Sequence, residues 1–289
     1  MKAPLDQLSR PQIKTLLDWR CEHRHDGISH YNCYLKAHPE GFLYEPSFEE
    51  RHLFLSDAHC PFHDRISIEL VFDFAYDWQP HYVWVPGDWL DFYQISSFDK
   101  DPKRINDLQR DIDTGHDMLQ VLKGATASAE EWHFLEGNHE RRLQRFLWKH
   151  PEIASLRCLE LEELLGLNDL GYIYHSQDED VLINDRLYVT HGDVIRTHSG
   201  WTARAHYDKL GGNGVCAHAH RMGFYIVSKR GDTEGWWENP CLCDLNPEYV
   251  KSPNWQQGFT LARFIGDRFF IEQVPIIKHQ FVVEGKLYK

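Results

Sequence analysis

The sequence predicts an α/β fold in which two β-sheets pack as a sandwich flanked by helices, preceded by a small helical N-terminal extension. Three observations carry this. Strand-like apolar runs alternate with helical patterns as far as about His220; two hairpin-like pairs of runs follow; and five of the strand-like runs end in polar turns made of His, Asp or Asn. A chain of 289 residues leaves room for one large domain with an appendage, and 26% charged with 42% hydrophobic residues is an ordinary globular composition.

Residues 1–50 form the expected extension and residues 51–289 the main domain. Ser9 and Pro11 can start a helix running to about His23, with Ile13, Leu16 and Leu17 on one face. Asp26-Gly27 breaks it before a second helix from about Ser29 to Ala37. Helix, glycine turn, helix is the coarse shape of a helix-turn-helix DNA reader, in which Arg24, His30, Tyr31, Asn32 and Lys36 would face a backbone. The segment is short for a three-helix module, which favours a helical hairpin packed on the main domain.

In the main domain Arg51–Ser56 reads as a strand that ends at Asp57-Ala58-His59. Ile66 to Trp78 reads as a helix with Ile66, Leu70, Phe74 and Trp78 as its apolar stripe. The run Val83-Trp84-Val85 is a buried strand stopped by Pro86 and Gly87, and it delivers Asp88 and Asp91 at its mouth. Lys103 to Lys123 reads as a longer helix burying Ile105, Leu108, Ile112, Leu119 and Leu122, with Gly115 inside it at some cost. Strand Glu131–Glu136 leads into Gly137-Asn138-His139-Glu140, strand Arg186–Thr190 into His191-Gly192-Asp193, and strand Gly214–Ala217 into His218-Ala219-His220. Phe224 to Ser228 with Trp236-Trp237, and Phe259 to Ile265 with Arg268 to Val274, supply the hairpins. Between them the prolines at 240, 247 and 253 mark a long ordered loop that either walls a site or seals a sheet edge; Asn254, Trp255 and Gln256 are its candidate substrate contacts.

A single Gly-Asp turn is commonplace, but five polar turns of this composition in one chain point to a shared centre. Carboxylate, amide and imidazole donors without thiolate suit Mn, Fe, Zn, Ni or Co. In a DxH or HxH turn the two side chains lie two apart on extended backbone and point to one side. The candidates are Asp57, His59, Asp88, Asn138, His191, His218 and His220: too many for one tetrahedral ion, and suited to two ions that share a bridging Asp.

The order DxH, GDxxD, GNHE, HGD, HxH from Arg51 to Arg221 resembles the calcineurin-like metallophosphoesterase superfamily, which includes protein phosphatases, purple acid phosphatases, cyclic-nucleotide phosphodiesterases and DNA-repair nucleases. Two positions depart from its pattern. Ala217 stands where the last motif has glycine, and Phe92 stands where Ser/Thr protein phosphatases carry a phosphate-gripping Arg. The segments from Ser199 to Val215 and from Asn239 to Phe259 also look like phosphoesterases of bacteriophages and prophages. The resemblance implies the calcineurin-like fold and two divalent ions, with manganese preferred. Asp57, His59, His220 and bridging Asp88 would hold one ion; Asn138, His191, His218 and Asp88 would hold the other. A hydroxide shared by ions about 3.5–4 Å apart would attack phosphorus in line. His139 would protonate the leaving oxygen, and Asp91 would orient and charge His139.

The net charge of −13 argues against a broad basic footprint for nucleic acid. The charge is uneven, however. Eight acids and no Lys or Arg lie between Glu160 and Asp185, whereas Arg141, Arg142, Arg145 and Lys149, then Arg196, Arg204 and Lys209, then Arg221, follow the candidate ligand turns. This predicts an electropositive rim, with Arg141, Arg142 and Arg204 as substrate-binding candidates. Trp89, Phe92, Tyr93 and Trp201 are aromatic residues placed to stack bases. The expected substrate is therefore DNA, hydrolysed as a phosphodiester; the alternatives are a phosphomonoesterase for nucleotides or phosphoproteins and a silent scaffold of the same fold. No protein partner is implied. Seven cysteines at 21, 33, 60, 158, 216, 241 and 243 form no secreted disulfide framework, and the Cys241/Cys243 pair lacks a second pair at zinc-finger spacing. No apolar run approaches a membrane span and Met1 to Ser9 has no signal-peptide core, so no membrane partner and a cytoplasmic location are expected.

Overall fold

The computed structural model describes residues 15–16, 27–38, 49–102, 107–179, 181–247 and 251–289. The chain forms two compact units, Met1–Phe48 and Glu49–Lys289. In the first unit the expected second helix is present as Gly27–Ala37. Tyr31 and Tyr34 on it are buried, so Tyr31 does not face outward as a nucleic-acid contact must. Most of the expected first helix, and Arg24, lie outside the described residues.

The second unit is built on two sheets. Strands β1 (Glu49–Phe54), β2 (Tyr82–Val85), β3 (Glu131–Leu135) and β4 (Tyr172–His175) run parallel side by side; β10 (Gly258–Ile265) and β11 (Arg268–Pro275) extend the β1 edge antiparallel. The second sheet has the order β5-β6-β7-β9-β8, from Val181–Ile183, Leu187–Thr190, Gly214–Cys216, Asp232–Glu238 and Gly223–Lys229. Its central strands β6, β7 and β9 are parallel, while β5 and β8 pair antiparallel at its edges. A hairpin, β12 (Phe281–Val283) with β13 (Lys286–Tyr288), ends the chain.

Side-chain alternation separates the layers. Phe54, Trp84, Leu135, Ala262 and Phe264 from the first sheet meet Val181, Ile183, Leu187, Val189 and Val215 from the second in one buried cluster. The intervening residues Leu53, Leu55, Val83, Val85 and Phe134 point the other way, into a core shared with helices Arg65–Trp78 and Leu108–Ala125. On the outer face of the second sheet, Ala203 of helix Trp201–Leu210 packs with Cys216 and Trp236. The result is helices, sheet, sheet, helix: the expected two-sheet sandwich with helices on both sides.

Three local expectations need correction. Helix Arg65–Trp78 is capped by Asp64, whose side chain accepts from Ser67 N; Phe74 and Trp78 are buried as expected, but Ile68, Val71, Phe72 and Ala75 complete the buried face and Ile66 is exposed. Ile66 lies in the first turn, two positions past the Asp64 cap and off the face that holds Ile68, Val71, Phe72 and Ala75. The next helix starts at Leu108, capped by Asp107 at Gln109 N; residues 103–106 lie outside the described residues. Trp89 and Phe92 are buried at 0% and 3% exposure, with Trp89 Nε1 donating to Gly115 O, so neither can stack a base.

Candidate metal centre

The five turns meet because parallel strands put their C-terminal ends together and backbone hydrogen bonds then zip turn to turn. Asp57 N donates to Gly87 O (3.1 Å), His59 N to Asp88 O (2.9 Å) and Cys60 N to Trp89 O (2.8 Å). Glu140 fastens the third turn to the second. Its carboxylate accepts from Asp88 N (2.9 Å), Gly137 N (3.0 Å) and Leu90 N (2.8 Å). Gly137 is required there, since a Cβ would stand 2.3 Å from Asp88 N and from Asp88 Oδ1. The second sheet joins through His191, whose Nδ1 donates to Pro86 O (2.9 Å). That bond occupies Nδ1 and leaves Nε2 facing the centre.

Five of the seven candidate ligands have left-handed backbone: Asp57 (φ 54°), His59 (φ 52°), Asp88 (φ 52°), His218 (φ 69°) and His220 (φ 55°). Each such residue costs on the order of 1 kcal/mol, and they persist only where surrounding structure dictates them. Here the strain turns side chains inward at strand ends, onto one point.

The donors fall into two groups that share Asp88. Asp57, His59, Asp88 and His220 form one; Asp88, His191 and His218 form the other. His59 Nε2 and His220 Nε2 face each other at 3.0 Å, and His220 Nε2 lies 3.3 Å from Asp57 Oδ1. Asp88 Oδ2 lies 3.3 Å from His191 Nε2 and 3.7 Å from His59 Nε2, between the groups. Asn138 Oδ1 lies 3.0 Å from His191 Nε2, which adds Asn138 to the second group. The residues fit divalent cations. Asp57 Oδ1 is buried without a hydrogen-bond partner. Asn138 Oδ1 and Asp88 Oδ2 both lie within 3.3 Å of His191 Nε2, a convergence that a proton on Nε2, or a divalent cation in its place, satisfies. Asp57 Oδ2, by contrast, is held by Ser56 Oγ (2.6 Å), itself bonded by Asn239 Nδ2 (2.7 Å).

Electrostatics agree. Burial opposes ionisation of Asp57 and Asp88, but nearby imidazoles outweigh it: His220 lowers Asp57, and His139 with His191 holds Asp88 well below the usual carboxylate range. Burial likewise opposes a charged His191, yet Asp88 beside it pushes the imidazole up to about 10. His218, buried and facing His191, is pushed down to about 4. Glu140 is raised to about 7 by burial and then by Asp88. This is a buried centre whose carboxylates favour positive charge.

His139 stands beside these groups, with Asp91 and His59 as its neighbours. Its Nδ1 is 3.1 Å from Asp91 O and 3.4 Å from Asp91 Oδ2, and its Nε2 is 3.8 Å from Asp88 Oδ2. Arg142 reaches the same place: Nη1 donates to Asp91 O (2.7 Å) and Nη2 to His139 Nε2 (2.9 Å). Arg141 points elsewhere, to Gln177 (2.7 Å) and Asp178 (3.2 Å). Arg204 is on the outer helix, 3.6 Å from Asp208 and over the ring of Tyr225; no contact among the described residues ties it to the ligand turns. The proline-rich loop lies along the centre, with Gln256 N donating to His220 O and Trp255 edge-on to the His220 ring at 4.4 Å. Sequence reasoning gave no role to Glu140, Ser56 or Asn239. Glu140 had a signal, an acid closing a turn that otherwise ends in ligand types; Ser56 and Asn239 had none.

No protein-family profile matches the chain. It is 25% identical to the Gene 54 protein of Mycobacterium phage L5 over 256 residues, covering 83% of this chain and 99% of that one. Among solved structures, zinc-complexed wild-type Vps29 from Entamoeba histolytica overlaps 82% of this chain and 95% of its own at 13% identity, with a TM-score of 0.43. YfcE, a phosphoesterase from E. coli, overlaps 78% of this chain and 100% of its own at 14% identity, with a TM-score of 0.37. The fold as described rests on the chain's own strand order, and the centre on its own donor atoms.

Proposed function

We propose that this chain is a calcineurin-like metallophosphoesterase, a two-metal phosphodiesterase that cleaves DNA. The observation that carries the reading is the shared carboxylate: Asp88 stands between two buried donor groups, with His139 facing it from outside both. When bound, two divalent ions, manganese in our assignment, supply an activated water at neutral pH and neutralise charge growing on the phosphate. Asp57, His59 and His220 with Asp88 would hold one ion; Asn138, His191 and His218 with Asp88 would hold the other. His139 protonates the leaving oxygen. Asp91 positions that imidazole through Nδ1; to act as acid Nε2 must first take a proton from solvent, and Arg142, which donates to Nε2 in the resting site, then swings toward the phosphate. With Phe92 buried where protein phosphatases carry Arg, Arg142 is the cation this site offers to the substrate phosphate.

The DNA reading is supported by the rim. Arg196, Trp201 and Arg204 line an open cavity of about 360 Å³, and Trp201 is 56% exposed. Among the described residues the guanidinium groups of Arg196 and Arg221 are bound to backbone carbonyls and to no carboxylate, which leaves their charge available to phosphates. Purified protein with Mn²⁺ tests the reading on bis-p-nitrophenyl phosphate, p-nitrophenyl phosphate and end-labelled single- and double-stranded DNA, with His139→Ala as control. Diester and DNA cleavage lost in the variant is expected. Turnover of the monoester alone would replace the DNA reading with a phosphomonoesterase, and no turnover of any substrate would favour a silent scaffold.

A further inference from the structure

Behind His220, two thiols converge on the second ring nitrogen. Nε2 of this imidazole faces Asp57 and His59, whereas Nδ1 lies 3.8 Å from Cys243 Sγ. Donor atoms of His220, Cys241 and Cys243 all lie within 4.8 Å of one another. The C-x-C spacing on extended backbone puts both thiols on one side of the chain. That segment is pinned from three directions: Cys241 bridges to Ser56 and to Gln257, and Cys243 to His63. Leu242 between them donates to Asp57 O and accepts from Asp64 N. Cys241, Cys243 and His220 are buried at 0%, 3% and 7% exposure, and both cysteines are free thiols.

We propose that Cys241, Cys243 and His220 Nδ1 form a third metal site, one for a thiophilic divalent ion of the Zn²⁺ class, joined to the oxygen- and nitrogen-lined centre through the His220 ring. Zinc bonds of about 2.3 Å to sulfur and about 2.0 Å to nitrogen put neighbouring tetrahedral donors roughly 3.5–3.8 Å apart. The observed 3.8 Å between Cys243 Sγ and His220 Nδ1 fits that edge with the backbone as it stands. Gln256 O lies 3.4 Å from Cys241 Sγ and already accepts from Cys241 N, so the three side chains leave the fourth position open. On binding, the two S–H protons leave as two sulfur–metal bonds form. Where Nε2 already holds an ion, the Nδ1 proton leaves as well and the ring bridges the two ions. Thiolate donors select zinc, cobalt or cadmium over manganese, so this chain would sort ions by softness within one connected site. The other use of such a thiol is to accept a hydrogen bond from His220 Nδ1 and do no more.

The test uses the full chain, stripped of metal and titrated with Co²⁺, as wild type, as Cys241→Ser/Cys243→Ser and as Asp88→Asn. A sulfur-to-cobalt charge-transfer band requires a thiolate ligand. It is expected in the wild type and in Asp88→Asn, and its loss is expected in the serine pair, together with loss of one equivalent of bound Zn²⁺. X-ray absorption at the zinc edge of zinc-loaded wild type needs no variant and should show sulfur neighbours at about 2.3 Å. Absence of the cobalt band in the wild type, its survival in the serine pair, or a zinc edge with only nitrogen and oxygen neighbours would each overturn the proposal. The phosphoesterase reading fails separately, through phosphodiesterase activity that persists in Asp88→Asn.

Discussion

At the scale of single residues, the proposed mechanism gives His139 and the seven candidate ligands separable tasks. His139 contacts Asp91 and Arg142 and belongs to neither donor group around Asp88. His139→Ala should therefore lower kcat on diesters by about 10²–10⁴-fold, the range for a lost general acid. Its metal content, measured by plasma emission after dialysis, should match the wild type. A parallel loss of metal would make His139 a ligand instead. That these donors converge was readable in the sequence because their chemistry is concentrated in residue type: Asp57, His59, Asp88, Asn138, His191, His218 and His220 all sit just past strand ends. The contacts that align them were not readable. Glu140 binds three N–H groups of two different turns, and Asn239 reaches Ser56 from 183 positions away. Such contacts depend on which loops meet in space, which residue type does not encode.

At the scale of elements, packing decides against local propensity at two places. Gly115 lies inside helix Leu108–Ala125, where alanine would gain about 1 kcal/mol of helix propensity. A Cβ there would meet Leu90 Cδ2 at 2.5 Å, and Leu90 is buried at 1% exposure beside the second ligand turn. Overpacking of that kind costs about 1–3 kcal/mol, so Gly115→Ala should be net destabilising, read as a lower urea midpoint. A raised midpoint would show that Leu90 yields freely.

The second place is the inner face of the first sheet, where β1, β2 and β3 contribute His52, Trp84 and His133. Trp84 Nε1 donates to His52 Nδ1 (3.0 Å) and stacks on His133 at 3.8 Å between ring centroids. Burial lowers His52 to about 4, and burial with His175 lowers His133 to about 3, against an ordinary value of 6.5. Neutral imidazole is thus favoured by the fold. Below about pH 6.5 the unfolded chain takes up these protons and the folded chain does not, so stability falls as pH drops from 6.5 toward the folded values. The slope is up to about 1.4 kcal/mol per pH unit for each histidine. Urea unfolding of His133→Phe across this window should give a flatter slope than the wild type, by about one proton's worth; equal slopes would contradict the assignment. Sequence alternation placed these strands, but it gave no hint that their inward positions hold histidines. The acidic run before Asp185, read from sequence only as charge, in fact contains β4 and β5, whose few residues are too short to register as periodic patterns.

At the scale of the whole molecule, the proposed phosphate-binding face would have to coexist with a net charge of −13. Asp208 lines the same rim but pairs with Arg204, while among the described residues Arg196 and Arg221, near the exposed Trp201, make no ion pair with a carboxylate. DNA binding should then be local and salt-dependent. In the His139→Ala background, Trp201→Ala should weaken single-stranded DNA binding by about 1–3 kcal/mol if one base stacks there. Arg196→Ala should reduce the slope of log affinity against log salt by about 0.7–0.9 for one lost phosphate contact. Fluorescence anisotropy across a salt series reads both, and unchanged affinity and slope would remove this rim from the substrate path.

The central claim is that Asp88 joins two ions, and electron paramagnetic resonance of the Mn²⁺-loaded protein tests it most directly. Wild type should bind two equivalents and give the signal of an exchange-coupled pair, and Asp88→Asn should lose that coupling together with phosphodiesterase activity. A wild-type protein that takes up one isolated, uncoupled Mn²⁺, or an Asp88→Asn variant that keeps the coupled pair, would contradict the account.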